Sequence, residues 1–143
     1  MRIRDHLLEG NNIDRRDTPN IGGPIEPRYL VYHFTAGRNA KSAVSWLCNR
    51  RAKASAHLVV ARDGGITQLA PFNIKNWHAG RSHWNGLEGL NSYSIGIEMD
   101  NAGRLTRVGS TYRASSLVCY GCNRELGLSA DDIANKQQIG QPR

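Results

Sequence analysis

Residues 55–71 read SAHLVVARDGGITQLAP. Two β-rich runs flank Asp63-Gly64-Gly65, where glycine can take the positive φ of a tight turn between antiparallel strands. The stretch reads as a hairpin whose first strand points His57, Val59 and Ala61 one way. Two further segments read as strands that can pair with it. YLVYHF (29–34) is a nearly unbroken aromatic and β-branched run, as in a strand buried on both faces, and it sets Tyr29, Val31 and His33 on one side. YSIGIEM (93–99) alternates, with Ile95, Ile97 and Met99 on one face and Ser94, Gly96 and Glu98 on the other. That second face is small, small and acidic, the pattern of a hollow with a carboxylate in it and equally of an edge strand whose glutamate faces solvent.

Helical spacing appears twice. Ala40, Ala43, Val44, Leu47 and Cys48 recur between Asn39 and Arg51, with Asn39 as the cap, so an amphipathic helix is expected against the sheet. Ala114, Leu117, Val118, Cys122 and Leu126 mark a second helix, closed by Gly127. These strands and helices read as one domain with helices laid against a sheet. Residues 9–28 are rich in Gly, Pro, Asn and Asp and read as an extended arm or loop, so the core is expected to begin at Tyr29. Residues 71–92 carry two tryptophans, two histidines and three glycines without a clean period, and they read as a long irregular loop of the kind that often carries function.

The chain has 143 residues, 39% of them hydrophobic and 22% charged, which fits one folded domain and excludes wholesale disorder. A net charge of +7 admits an acidic partner such as nucleic acid, anionic lipid or an anionic wall polymer. The basic residues are scattered apart from Arg15-Arg16 and Arg50-Arg51, and no nucleic-acid recognition motif accompanies them. No apolar run reaches the roughly 18 residues of a membrane span, and MRIRDHLLEG lacks the hydrophobic stretch of a secretory signal. A cytoplasmic protein is expected, or one released to the cell wall if it is a phage lysin. Three cysteines, an odd number, suggest no disulfide framework. The pair in CYGC (119–122) has C-x-x-C spacing, but Cys122 falls on the apolar stripe of the second helix and reads as core.

VYHFTAG, SAHLVVARDGGITQLAPFNIKNWHAG and NSYSIGIEMDNAG, in that order and spacing, resemble the zinc-dependent N-acetylmuramoyl-L-alanine amidases, which include bacterial and phage wall-cleaving enzymes and are related to peptidoglycan recognition proteins. The likeness covers roughly residues 29–103 closely and the last helix more loosely. It implies an α/β fold, a mixed central β-sheet with flanking α-helices, forming an amidase-like domain over 29–143, and hydrolysis of the amide between N-acetylmuramic acid and the L-alanine of peptidoglycan or muropeptides. It also implies a zinc ion with His33 as a ligand, and Glu98 as the catalytic group that orients or deprotonates the attacking water. His57, Trp77 and His78 lie in family-like motifs and are candidate substrate contacts, the other reading being packing and loop hydrogen bonding, which is favoured for His57. Zinc suits this chemistry because it polarises a carbonyl and lowers the pKa of its bound water to about 7, while a carboxylate carries the proton to the leaving amine.

The ending departs from the family pattern. The second histidine and the aspartate or cysteine ligand are expected after the last helix, but that segment reads ANKQQIGQPR, with Lys136 at the histidine position. An ammonium has no lone pair to give a metal. A shortened chain, a natural loss of the metal and a site completed by a second chain all account for this. The alternative function is therefore a catalytically inactive peptidoglycan-binding module with an incomplete zinc site.

Overall fold

The turn at Asp63-Gly64-Gly65 forms as the sequence suggests. Gly64 has a φ of +90°, and the Gly65 N–H donates to Asp63 Oδ1 at 2.9 Å. It belongs to a computed structural model that describes residues 1–101, 109–128 and 130–135. In chain order the strands are β1 (Arg2–Arg4), β2 (Leu7–Glu9), β3 (Ile13–Arg15), β4 (Ile21–Pro24), β5 (Tyr29–Phe34), β6 (Leu58–Val60), β7 (Ile66–Gln68), β8 (Ile74–Asn76), β9 (His83–Trp84), β10 (Leu87–Glu88), β11 (Ser94–Met99) and β12 (Ile133–Asn135). The helices are α1 (Ala40–Leu47) and α2 (Gly109–Leu126).

Six strands form the central sheet in the order β12-β5-β11-β6-β7-β3. All neighbours run parallel except β6 and β7, the hairpin, so the sheet is mixed as expected. Its faces are covered differently. Leu30, Tyr32, Leu58, Val60, Ile66, Ile95 and Ile97 pack with Ala114, Val118 and Cys122 of α2. On the opposite face Val59 and Leu69 meet Val44 and Leu47 of α1, while Val31 packs with Leu90 and Ala134. Each large aliphatic side chain so buried contributes about 1.5–3 kcal/mol.

Helix α1 starts at a complete capping box: the Ser42 N–H donates to Asn39 Oδ1 at 2.9 Å, and the Asn39 N–H donates to Ser42 Oγ at 3.3 Å. It ends at Leu47, short of Arg51, because Asn49 starts a separate 3₁₀ turn at Arg50–Ala52 by accepting the Arg51 N–H. In α2 the stripe runs through Ala114, Val118 and Cys122, while Leu117, placed on it from the sequence, is 53% exposed. Gly127, with φ +69°, follows the last turn and its N–H donates to Asn123 O. Cys122 is core as expected, and Cys119 Sγ sits 2.6 Å from the Tyr32 hydroxyl.

The segment before Tyr29 differs from its sequence reading. β3 extends the sheet beyond β7, β4 pairs with β8, and Ile3 and Leu8 of the β1–β2 hairpin enter the core under α2. Thr18 Oγ1 donates to Leu47 O at 2.6 Å, holding the C-terminus of α1. These strands are three or four residues long, too short for alternation to stand out among turn-forming residues. Residues 71–92 are likewise more ordered than expected, holding β8, the β9–β10 hairpin and a 3₁₀ turn at Leu90–Ser92. Among the described residues no helix is long and apolar enough to cross a membrane. Lys136 and the residues after it lie outside the described residues.

Candidate active site

Parallel pairing of β5 with β11 puts His33 directly beside Glu98. Directly paired residues on neighbouring strands project to the same face, about 4.8 Å apart along the hydrogen-bonding direction. Both therefore lie on the α1 side of the sheet, opposite the α2 core. His33 is 2% exposed, whereas Glu98 is half-buried and lines a cleft of about 450 Å³. Phe34, Thr35, Ala36 and Gly37 form one wall of that cleft, and Ser42, Ala43, Trp46 and Leu47 of α1 form the other. Phe34 and Trp46 expose large apolar rings there. Sequence reasoning missed both as site residues, since an aromatic in a strand or on a helix reads as core. Asp100 anchors the α1 wall: its Oδ2 accepts the Ala40 N–H at 2.9 Å, and Arg62 pairs with its Oδ1 at 3.3 Å.

The hollow expected at Ser94 and Gly96 is occupied by the His78 ring. A Cβ on Gly96 would fall under 3.0 Å from three atoms of that imidazole. Asn91 aims it: Asn91 Oδ1 accepts the N–H groups of both His78 and Ala79, at 3.0 and 2.8 Å. The ring then reaches His33, with His33 Nε2 and His78 Nδ1 3.0 Å apart. Asn91 and Ser94 had no signal as site residues in the sequence, because their role depends on the loop folding back over the sheet.

His57 extends the row, its ring centroid 6.0 Å from that of His78. A candidate substrate contact for which packing is the favoured reading, it is fully buried. Its Nδ1 accepts the Gly96 N–H at 3.0 Å and its Nε2 lies 2.8 Å from Ile74 O, so both nitrogens hold main chain. Burial, reinforced by nearby His78, pushes its pKa down to about 3 against the opposing pull of the Ile74 carbonyl. Burial likewise lowers His78 to about 4, with the Ser94 carbonyl acting the other way. Both rings are neutral near pH 7.

Trp77 stands apart from the cleft lining. Its backbone is pinned to Ser55 by two hydrogen bonds, from Trp77 N–H to Ser55 Oγ and from Ser55 N–H to Trp77 O. The residue is 40% exposed, with the Lys75 ammonium 4.8 Å from the ring centroid. The structure thus brings together His33, His57, His78 and Glu98 and leaves Trp77 on the neighbouring surface. Among the described residues no group of three His, Cys, Asp or Glu side chains is placed to hold a metal. His33 and Glu98 offer one side of such a site.

Comparison with known proteins agrees with this architecture. A family model described as N-acetylmuramoyl-L-alanine amidase matches residues 23–140. The 1,6-anhydro-N-acetylmuramyl-L-alanine amidase AmpD of Salmonella typhimurium (strain SL1344) is 39% identical over 91 residues, 64% of this chain and 49% of that protein. The N-acetylmuramoyl-L-alanine amidase AmiD of Escherichia coli (strain K12) is 37% identical over 112 residues, 74% of this chain and 40% of that protein. The chain thus spans about half the length or less of these relatives. A crystal structure of an AmpD derivative superposes with a TM-score of 0.82 at 23% identity, covering 100% of this chain and 90% of that one, which shows the shared fold. A complex of E. coli AmiD with anhydro-N-acetylmuramic acid-L-Ala-D-gamma-Glu-L-Lys superposes with a TM-score of 0.70 at 25% identity, over 82% of this chain and 51% of that one.

Proposed function

The chain belongs to the N-acetylmuramoyl-L-alanine amidase family, and from that premise we propose that it hydrolyses the amide between N-acetylmuramic acid and L-alanine in peptidoglycan or muropeptides. One observation carries the reading: a half-buried carboxylate, Glu98, lies in the cleft beside a buried imidazole, His33, in the register of two adjacent parallel strands. Amide hydrolysis needs a water deprotonated on attack and an amine protonated on departure, and one carboxylate at the reacting centre can do both in turn. Glu98 takes the water's proton and returns it to the leaving L-alanine nitrogen. The exposed rings of Phe34 and Trp46 give apolar walls against which a sugar or peptide can lie, and Trp77 offers a further platform outside the cleft.

Zinc bound through His33 is part of the proposal. A catalytic zinc needs three protein ligands, and the described residues do not supply that set by themselves. A cytoplasmic setting belongs to the same proposal, as does a soluble anhydro-muropeptide substrate, which the names of the AmpD relatives favour.

The test is to incubate the full chain, loaded with zinc, with an anhydro-muropeptide and follow free stem peptide by mass spectrometry. Release of the peptide, with about one zinc per chain by metal analysis, is the expected result. Saturable binding that survives a chelator, without cleavage, would replace this reading with that of a binding module.

A further inference from the structure

The hydrogen bonds behind His33 leave little choice about where its ring proton sits. Ser94 Oγ donates to Leu90 O at 2.6 Å, since a carbonyl can only accept. With its proton committed there, the Ser94 hydroxyl meets His78 Nε2, 3.3 Å away, as an acceptor. The Ser94 carbonyl, 3.4 Å from the same nitrogen, is an acceptor as well. Two acceptors at one ring nitrogen require the proton to be on it, so neutral His78 carries Nε2–H and has a bare Nδ1. That bare nitrogen faces His33 Nε2 at 3.0 Å and must accept from it. Neutral His33 then also holds its proton on Nε2, and its lone pair lies on Nδ1. His57 follows the same pattern, its Nδ1 accepting the Gly96 N–H.

We propose that His78 is a positioning residue: the chain Leu90 O, Ser94, His78, His33 fixes the tautomer and ring orientation of His33 so that Nδ1 is the nitrogen presented for lone-pair donation. The proposal rests on the reading of His33 as a site residue but makes a claim about the protein without metal or substrate. It reassigns His78 from substrate contact to a place behind the reacting groups. Such a partner matters because a ligating imidazole works only with the correct nitrogen bare, and that is set by the bond its other nitrogen makes. Gly96 is part of the device, since only a residue without Cβ lets the His78 ring lie on β11.

The experiment is long-range ¹H–¹⁵N NMR of the histidine rings in the metal-free full chain near pH 7. The expected spectrum shows His33 as a single tautomer, with Nδ1 shifted as an unprotonated nitrogen and Nε2 as a protonated one. His78→Ala removes the acceptor and is expected to leave His33 averaging between tautomers. His78→Asn, whose amide oxygen stands near the place of Nδ1, is expected to restore the single form. Amide spectra of each variant report whether the fold is intact, and the wild-type spectrum decides the point even if His78→Ala does not fold. A wild-type His33 protonated on Nδ1, or a His33 spectrum unchanged in a folded His78→Ala, would overturn the proposal. Failure to cleave muropeptides would refute the proposed function but leave the tautomer result standing, so the two can fail separately.

Discussion

Substituting Gly96 by alanine tests whether the His78 seat is as tight as its geometry implies. The added Cβ would lie under 3.0 Å from Cγ, Cδ2 and Nδ1 of the ring, whereas carbon atoms rest comfortably at about 3.5–4.0 Å. Either the ring or β11 must move by most of an ångström. The strand is held on both sides, by β5 and β6, so the ring is the part that gives. A retreat of that size breaks the 3.0 Å contact with His33, worth about 0.5–1.5 kcal/mol. Overpacking adds about 1–3 kcal/mol. The loss of backbone freedom in the unfolded chain returns about 0.4–1 kcal/mol. A net destabilisation of about 1–3 kcal/mol is expected, read as a lower urea midpoint and a Tm lowered by about 2–4 °C per kcal/mol. A cycle with His78→Ala isolates the cause: with the ring gone the new methyl has room, so the double variant is expected to be at least about 1 kcal/mol more stable than the sum of the single changes predicts. Additive effects, or a Gly96→Ala chain as stable as wild type, would refute the reasoning.

Glu98→Gln keeps the shape of the side chain but cannot take a proton, so stem-peptide release is expected to fall about 10²–10⁴-fold with an unchanged unfolding midpoint; activity within a few-fold of wild type would remove Glu98 from the chemistry. His57, with a folded pKa near 3 against an ordinary value of 6.5, stays neutral in the native state where the unfolded chain already binds a proton. Stability from this group is therefore complete above about pH 6.5 and is lost as pH falls toward 3, by up to about 1.4 kcal/mol per pH unit. Urea unfolding at pH 7, 6 and 5, with NMR titration of the His57 ring, checks this; a ring that protonates near pH 6.5 contradicts it. Trp77→Ala, which removes an exposed ring, is expected to raise KM for muropeptides about tenfold, or about 1.4 kcal/mol, with kcat and stability nearly unchanged. Unchanged KM would confine Trp77 to its contact with Lys75.

What could be seen in the sequence was what depends on short-range rules. Strand alternation placed Ser94, Gly96 and Glu98 on one face, and β11 is built that way, with Ile95 and Ile97 in the α2 core. Asn39 capped α1 because a polar side chain at that offset reaches the first free N–H groups, a contact made within four residues. The His78 seat was not visible, because it depends on Asn91 binding the backbone of His78 and Ala79 across a loop. The choice between substrate contact and packing for His57 was open for a related reason. Alternation gave its face, but whether that face is open or covered depends on β8, whose Ile74 carbonyl meets the ring. The N-terminal strands escaped notice because each borrows its burial from distant partners: Leu8 donates its N–H to Gln68 Oε1, sixty residues away.

The His33–Glu98 pair is a consequence of register, and register is set by residues that take no part in the chemistry. Sliding β11 by one residue against β5 would turn Ile95 and Ile97 out of the α2 core and turn Glu98 into it. Exposing two isoleucines would cost about 3–6 kcal/mol at about 1.5–3 kcal/mol each, and burying a carboxylate among apolar side chains would add to that. The total rivals the whole stability of a typical domain, about 5–15 kcal/mol, so the alternative pairing is not populated. The alternation that builds one face of the sheet as core thus holds the imidazole and carboxylate side by side on the other. The site needs no dedicated element to align these two groups, only a loop to bring His78 in behind them.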